Sequence, residues 1–371
     1  MNRRSFLRNS LAASAISALP AIFPSLAHSS TTPKRILVLG GTVFLGPALV
    51  DTALIAGHTV TLFNRGITNP DLFPHLENLR GFRSPDANDQ DLTALARRHW
   101  DVVVDVWPHD PSMAASAAEL LRGRAGHYLY VSSIAAYESN DFEKSGVDET
   151  APLETWAGDA SEYARGKAES ERRLAALCGE KLTIVRPGPI KGLRDDTPDL
   201  LAWLRRAQTG GRHIAPGDGN SPVELVDVKD VARFLVFAID QSIYGTFNLT
   251  GRPMTFREFL GKCKAATHSD AEFVWIPKDF LDQHHLDPDS TLHMHGGNFP
   301  FWRPPGSLPG VYQVNSEKAF QAGWQVRQFE ETAMDCLASY RSGYGDFSAW
   351  HDYLSPEKEK QVLDAWAHRS A

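Results

Sequence analysis

The apolar run Ile36-Leu37-Val38-Leu39 breaks off at Gly40-Gly41, and no other feature limits the fold of this chain as tightly. Four apolar residues without alternation fit a parallel strand covered on both faces. Phe44, Leu45, Ala48, Leu49, Ala53 and Leu54 then recur at helical spacing, Gly57-His58 closes that helix, and Thr59-Val60-Thr61-Leu62-Phe63 makes a second strand. The alternation continues. It gives a helix around Leu92 to His99, a strand at Val102-Val103-Val104 and a helix from Ser112 to Leu121. The strand Tyr128 to Val131, a long helix from Ser161 to Leu177 and the strand Leu182 to Val185 follow. Strands and helices alternating at this spacing predict an α/β fold built on a doubly wound parallel sheet of the Rossmann type.

After Arg186-Pro187-Gly188 the character changes, and segments rich in Pro, Gly, His and Trp alternate with short helices. Residues 34–190 and 223–250 are expected to form the Rossmann domain. In the second of these pieces, Asp227 to Val231 opens a helix and Gly245 to Leu249 makes a strand. Residues 191–222 and 251–371 are expected to form a smaller substrate lobe and C-terminal tail.

Residues 1–27 differ from the rest. Arg3, Arg4 and Arg8 stand without an acid, a mildly apolar stretch runs from Leu11 to Leu26, and Ser25-Leu26-Ala27 fits a small-x-small cleavage site. That order is an export signal, too short and too rich in Ser and Ala to anchor in a membrane. Arg3-Arg4-Ser5-Phe6-Leu7 is the twin-arginine pattern, so the translocase of that pathway is an expected partner and the periplasm or exterior the expected destination. Removal of residues 1–27 lowers Lys plus Arg from 38 to 35 against 45 Asp plus Glu, taking the net charge from −7 to −10. So acidic a chain lacks the electrostatic footprint for nucleic acid.

The turn Gly40-Gly41-Thr42-Val43-Phe44-Leu45-Gly46 lies where a dinucleotide fingerprint must lie. Gly40 permits the tight turn, Gly46 lets helix and strand pack closely, and the helix N-terminus faces a pyrophosphate. Thr42, Phe44 and Leu45 complete this cofactor-binding stretch. At the end of the second strand an acid would bind the ribose 2′-hydroxyl of NAD, whereas an Arg accommodates the 2′-phosphate of NADP. Here the strand ends Phe63-Asn64-Arg65-Gly66, so Arg65 with Asn64 favours NADP over NAD. Asp105, at the end of the Val102–Val104 strand, joins the same cofactor set.

Ser132-Ser133 follows the strand Tyr128 to Val131, and Tyr163 and Lys167 lie near the start of the next long helix. Four residues apart, Tyr163 and Lys167 share one helical face. An ammonium beside a phenol favours the phenolate and lowers its pKa. Lys167 therefore supplies charge and a hydrogen bond to the nicotinamide ribose, Tyr163 joins it in the cofactor-binding set, and Ser133 holds the substrate oxygen. Tyr163 takes the hydroxyl proton as hydride leaves the same carbon.

These segments resemble the extended short-chain dehydrogenases/reductases, the group of NAD-dependent epimerases, dehydratases and reductases. The likeness rests on Gly40 to Gly46, Tyr130-Val131-Ser132-Ser133-Ile134-Ala135-Ala136-Tyr137, Tyr163 to Lys167, Arg186 to Gly192 and Val226 to Ala232, and spans about residues 34 to 330. It implies Ser133, Tyr163 and Lys167 as catalytic residues and Pro187-Gly188 beside the nicotinamide. A sugar derivative is the implied substrate, and homodimers are common among members. Val43 stands in place of the family's middle glycine, which crowds the backbone near the pyrophosphate. Ile134-Ala135 stand where sugar dehydratases carry acids, which disfavours elimination.

His284, His285, His293 and His295 with Asp282, Asp287 and Asp289 match no tetrahedral spacing, and no metal is expected. Phe299, Phe301 and Trp302 fit core packing or loop anchoring better than stacking on a substrate. Export carries one further implication. A route for folded proteins lets the cofactor be loaded beforehand, so a redox-neutral epimerisation with a cofactor that stays bound is expected. The alternatives are an NADPH-dependent carbonyl reductase and a non-catalytic binding protein on the same fold.

Overall fold

Ile36 and Val38 pack into one hydrophobic layer and Leu37 and Leu39 into another, which is why the first strand is apolar throughout. The computed structural model describes residues 32–86, 90–106, 110–157, 160–286, 298–304, 306–344 and 353–369. The signal expected at residues 1–27 lies outside them.

In chain order the first half runs β1 (Arg35–Leu39), α1 (Leu45–Ile55), β2 (Thr59–Asn64), β3 (Glu77–Arg80), β4 (Trp100–Asp105), α2 (Pro111–Leu121), β5 (Ala125–Val131), α3 (Glu162–Cys178) and β6 (Leu182–Pro187). The second half adds β7 (Ile190–Lys191), α4 (Asp199–Thr209), β8 (Arg212–Pro216), β9 (Pro222–Val223), β10 (Val226–Asp227), α5 (Val228–Gln241), β11 (Gly245–Leu249) and β12 (Met254–Thr255). It ends with α6 (Phe256–Thr267), β13 (Glu272–Ile276), α7 (Lys278–Gln283), α8 (Glu317–Gln321), α9 (Phe329–Arg341) and α10 (Pro356–Arg369).

The main sheet has seven strands in the order β11-β6-β5-β4-β1-β2-β3, all pairs parallel. The expected α/β class holds. The chain runs outward from β1 to β3, then restarts at β4 on the other flank of β1. A crevice opens at such a switch, beyond the carboxyl ends of the strands, where open α/β sheets bind ligands. Helices α1 and α5 cover one face of the sheet and α2 with α3 the other.

Two local expectations need correction. Residues 92–99 form only a single 3-10 turn, Thr93–Leu95. Leu92 and Leu95 supply the buried contacts there, the Asp91 side chain caps Thr93 N–H at 3.1 Å, and the chain re-enters the sheet at Trp100. Strand β3 went unread because Glu77-Asn78-Leu79-Arg80 has no apolar run. It is an edge strand with no buried residue.

The second lobe has its own core, ringed around the fully buried Trp203. Phe299 stacks on the Trp203 ring at 6.3 Å, Phe256 meets it edge-on at 5.3 Å, and the indole N–H donates to Pro300 O at 2.8 Å. Phe299, Phe301 and Trp302 are all buried in this core. Ala319 and Trp324, within the 251–371 segment, pack instead against the α1–α5 face of the sheet.

Candidate active site

A cavity of about 770 Å³ occupies the crevice, a size ordinary for small-molecule sites. Its first wall is the turn after β1. A Cβ at Gly46 would lie 2.6 Å from the backbone of Gly41, so only glycine lets α1 start this close to the turn. Phe44, at the N-cap, has no side-chain cap and takes φ 45° and ψ −100°, outside the ordinary regions for an L-residue. The Gly46 N–H turns back to Val43 O at 2.9 Å, and no side chain covers the rest of this helix start, the end at which a helix favours an anion. The crowding expected of Val43 takes another form. Its side chain stays 45% exposed, and the strained dihedrals fall on its neighbour Phe44.

Asn64 and Arg65 form the wall beyond β2, together with Gly66 and Ile67. The Asn64 amide donates to Gly40 O at 3.2 Å and ties the two turns together. Asp105 is placed differently from the rest of the expected set. It is fully buried, and its carboxylate accepts from Arg83 at 2.7 Å and from Tyr128 at 3.1 Å. Arg83, which follows β3, is the member of this pair that lines the cavity. Sequence reading missed Arg83 with its strand.

The opposite wall carries the expected catalytic residues. Ser133 begins the short 3-10 turn after β5, and its hydroxyl accepts from Ala135 N–H at 3.1 Å. Helix α3 starts at the N-cap Ser161, whose side chain accepts from Ala164 N–H at 3.2 Å, and Glu162 suits the positive end of the helix dipole. That start puts Tyr163 and Lys167 one turn apart on the cavity side. Tyr163 hydrogen-bonds Ser133, and although 38% of the residue is exposed, burial around its hydroxyl holds the phenol above its usual range. Lys167 is buried beside Tyr130, with Nζ 4.9 Å from that ring centre and 5.8 Å from the Tyr163 ring centre. Burial pushes the ammonium down to about 8, against the pull of Asp105 and Glu171. The expected lowering of the phenol by Lys167 is thus not present. The ammonium is turned to the Val131 carbonyl, and burial outweighs the Ser133 hydrogen bond.

Pro187 and Gly188 close the floor at the end of β6. Behind them Glu224 is fully buried, its carboxyl pushed up to about 8 by burial, and a Cβ at Gly188 would lie 3.3 Å from its Oε1. The far wall is formed by Lys191, Asp195, Asp196 and Thr197. Lys191 Nζ donates to Asp199 at 2.8 Å and to Thr197 Oγ1 at 2.6 Å, inside the Arg186–Gly192 motif that the sequence singles out. Eleven of the twelve residues expected to bind cofactor, all but Asp105, and all three expected catalytic residues thus meet on one cavity.

The pattern of the NAD dependent epimerase/dehydratase family matches residues 36–250, which contain every one of these residues. The chain belongs to the NAD-dependent epimerase/dehydratase family. Among similar proteins, the Arabidopsis thaliana chloroplast stem-loop binding protein of 41 kDa b is 29% identical over 84% of this chain and 86% of its own. The 2′-dehydrokanamycin reductase of Streptomyces kanamyceticus is 28% identical over 70% of this chain and 74% of its own. Among solved structures, the UDP-glucose 4-epimerase of Thermus thermophilus in complex with NAD superposes with a TM-score of 0.56 at 20% identity, covering 83% of this chain and 99% of that one. The epimerase/dehydratase family thus accounts for both the sheet order and the glycine turn.

Among the described residues no cluster of His, Cys, Asp and Glu is arranged to hold a metal ion, and no helix is long and apolar enough to cross a membrane. His284 packs on the Phe280 ring at 4.5 Å and Asp282 pairs with Lys278 at 2.8 Å. His293, His295, Asp287 and Asp289 lie outside the described residues.

Proposed function

We propose that this protein is an epimerase or oxidoreductase that works at a hydroxyl-bearing carbon, of a sugar derivative, with NADP or NAD held in the cavity. The observation that carries the reading is the convergence of Ser133, Tyr163 and Lys167 on the cavity that also holds the Gly40–Gly46 turn. The residues fit the cofactor. The glycine approach at Gly46 and the uncapped start of α1 suit a pyrophosphate, and Pro187-Gly188 leave a flat floor for the nicotinamide. When bound, the dinucleotide supplies a reversible two-electron acceptor. Ser133 fixes the substrate oxygen, Tyr163 exchanges the proton of that oxygen, and the Lys167 ammonium would hold the nicotinamide ribose. Ile134 and Ala135, which follow Ser133 in the chain, supply no acid there, which favours a reaction without elimination.

Two relatives support the substrate class. The proteins named above include a UDP-glucose 4-epimerase and a 2′-dehydrokanamycin reductase. The twin-arginine pattern Arg3-Arg4-Ser5-Phe6-Leu7 supports export with the cofactor already in place, and so a redox-neutral cycle in which it stays bound. Protein recovered from the exported fraction, denatured and assayed for released nicotinamide dinucleotide tests this. A near-stoichiometric yield is expected, and active protein that releases none overturns it. A cofactor that exchanges rapidly with solution favours an NADPH-dependent carbonyl reductase.

A second reading has one specific support, the likeness to a stem-loop binding protein. On it the fold would bind without catalysing. The net charge of −7 opposes a nucleic-acid partner. A Tyr163→Phe chain that keeps full biological activity would favour this second reading.

A further inference from the structure

Strand β3 pairs with β2 in parallel register and sets Arg80 directly beside Asn64. Arg80 Nη1 donates to Asn64 Oδ1 at 3.3 Å, and the same oxygen accepts the Gly66 N–H at 2.8 Å. The guanidinium lies over the Gly66 backbone. A Cβ on Gly66 would sit 1.4 Å from Nη1 and 2.2 Å from Cζ, so any side chain there would evict Arg80. Gly66 also takes φ +69°, where other residues are strained, and it borders the cavity between Arg65 and Ile67.

Arg65 and Arg80 are both exposed, and neither is ion-paired among the described residues. Glu77, the acid on β3 itself, is taken by Arg98 at 2.6 Å and by the Thr61 hydroxyl at 3.2 Å. Arg65 lines the cavity after β2 and Arg80 sits beside Asn64 on β3, over the cavity-lining Gly66, and a neutral ribose diol calls for neither cation. A phosphate dianion offers them acceptor oxygens in the fork geometry that Arg matches best.

We infer that Arg80 acts with Arg65 as the recognition site for the 2′-phosphate of the adenosine ribose. Arg80 then sets a preference for NADP over NAD, and Gly66 is the residue that leaves it room. The inference rests on the dinucleotide reading of the cavity and deepens it.

The test compares the wild-type chain with Arg80→Ala and Gly66→Ala. Each is purified, denatured and analysed by mass spectrometry for released NADP and NAD, and any cofactor-free protein is titrated with NADPH and NADH by nicotinamide fluorescence. The wild type is expected to prefer NADP, and Arg80→Ala to lose about tenfold or more of that preference, the worth of one charge-assisted hydrogen bond. Its NADH affinity should stay within about twofold, which also reports that the variant is folded. Gly66→Ala should reproduce the loss by displacing the guanidinium. Adenosine 2′,5′-bisphosphate should compete well with the wild type and weakly with Arg80→Ala, while 5′-AMP competes equally with both. An unchanged preference in Arg80→Ala, an equal loss of NADPH and NADH, or a wild type that prefers NAD overturns the assignment and leaves the dinucleotide reading standing. A wild-type chain that neither retains nor binds either dinucleotide overturns that reading and the inference with it.

Discussion

Lys167 Nζ donates to the carbonyl oxygen of Val131 at 2.7 Å, fastening helix α3 to the last residue of the strand that delivers Ser133. One contact thereby fixes the spacing of two elements that both supply the candidate site. It also holds a charged group where water does not reach.

That burial gives the first expectation a sign. The Lys167 ammonium titrates near 8 rather than in the ordinary lysine range, so its charge is present at neutral pH and is lost as pH rises through about 8. Turnover that depends on the charge should fall on the alkaline side of that value. In Lys167→Arg, whose charge persists, the alkaline limb should disappear, and a limb left in place would remove Lys167 from the mechanism. Tyr163→Phe should lower turnover about 10²- to 10⁴-fold while cofactor content is unchanged, because the phenol acts on the substrate proton. Both are read from substrate conversion, followed by chromatography across a panel of nucleotide sugars and amino sugars, with cofactor content measured on denatured protein.

Arg83 and Asp105 form a buried ion pair with side chains 8% and 0% exposed. Removing one partner strands the other in the interior, at a cost of about 3–5 kcal/mol. Arg83→Met should therefore move the urea midpoint down sharply. The double variant Arg83→Met with Asp105→Leu should recover most of the loss, since two apolar groups replace two charges. A double variant no more stable than the single one would show that the pair's worth lies elsewhere.

His127 sets an acid limit. Its Nε2 lies 2.7 Å from Thr183 Oγ1, and that hydroxyl already donates to Ile243 O, so Nε2 must carry the proton. Nδ1 is buried with no partner among the described residues, and a second proton there would find no acceptor among them. Burial accordingly pushes the imidazole down to about 4. Because the folded value lies below the unfolded one, this site's stability is whole above about pH 6.5. It drains away as pH falls through 4, by roughly 3 kcal/mol in all. In His127→Gln that part of the acid sensitivity should vanish from unfolding curves taken between these limits.

Gly46→Ala should be costly in a different way. The added methyl meets Gly41 backbone at 2.6 Å, and the turn must shift to admit it. We expect about 1–3 kcal/mol of lost stability together with loss of retained dinucleotide. Unfolding by urea and nucleotide release on denaturation measure the two effects, and a variant that keeps its full cofactor content would show that the turn does not hold the pyrophosphate.

The sheet was legible because its strands are buried on both faces, and Ile36 to Leu39 or Val102 to Val104 can be nothing else at that length. Tyr163 and Lys167 were legible for a related reason, since helical spacing alone puts them on one face. Arg80 and Arg83 were not, because they flank an edge strand whose pairing depends on β2 and leaves no apolar trace. The second lobe was the least legible part. Its order comes from Trp203 and the aromatic side chains around it, gathered from segments as far apart as Phe256, Phe299 and Phe329, and no local pattern announces such a meeting. The strain at Phe44 was also hidden, for Val43 marks only that a glycine is missing and not which neighbour absorbs the turn.

The placement of Ala319 and Trp324 against the sheet has a further consequence. The chain leaves the second core after Val314, crosses to the first, and is back in the second by Phe329. Earlier crossings join Leu225 to Val226 and Leu249 to Phe256. The two cores are stitched rather than hinged, so no single cut in the backbone yields a separable half. A lineage built on this scaffold cannot exchange its second lobe as a cassette. It must change substrates by replacing side chains in place, and the wall from Lys191 to Thr197 is where such replacements meet the cavity.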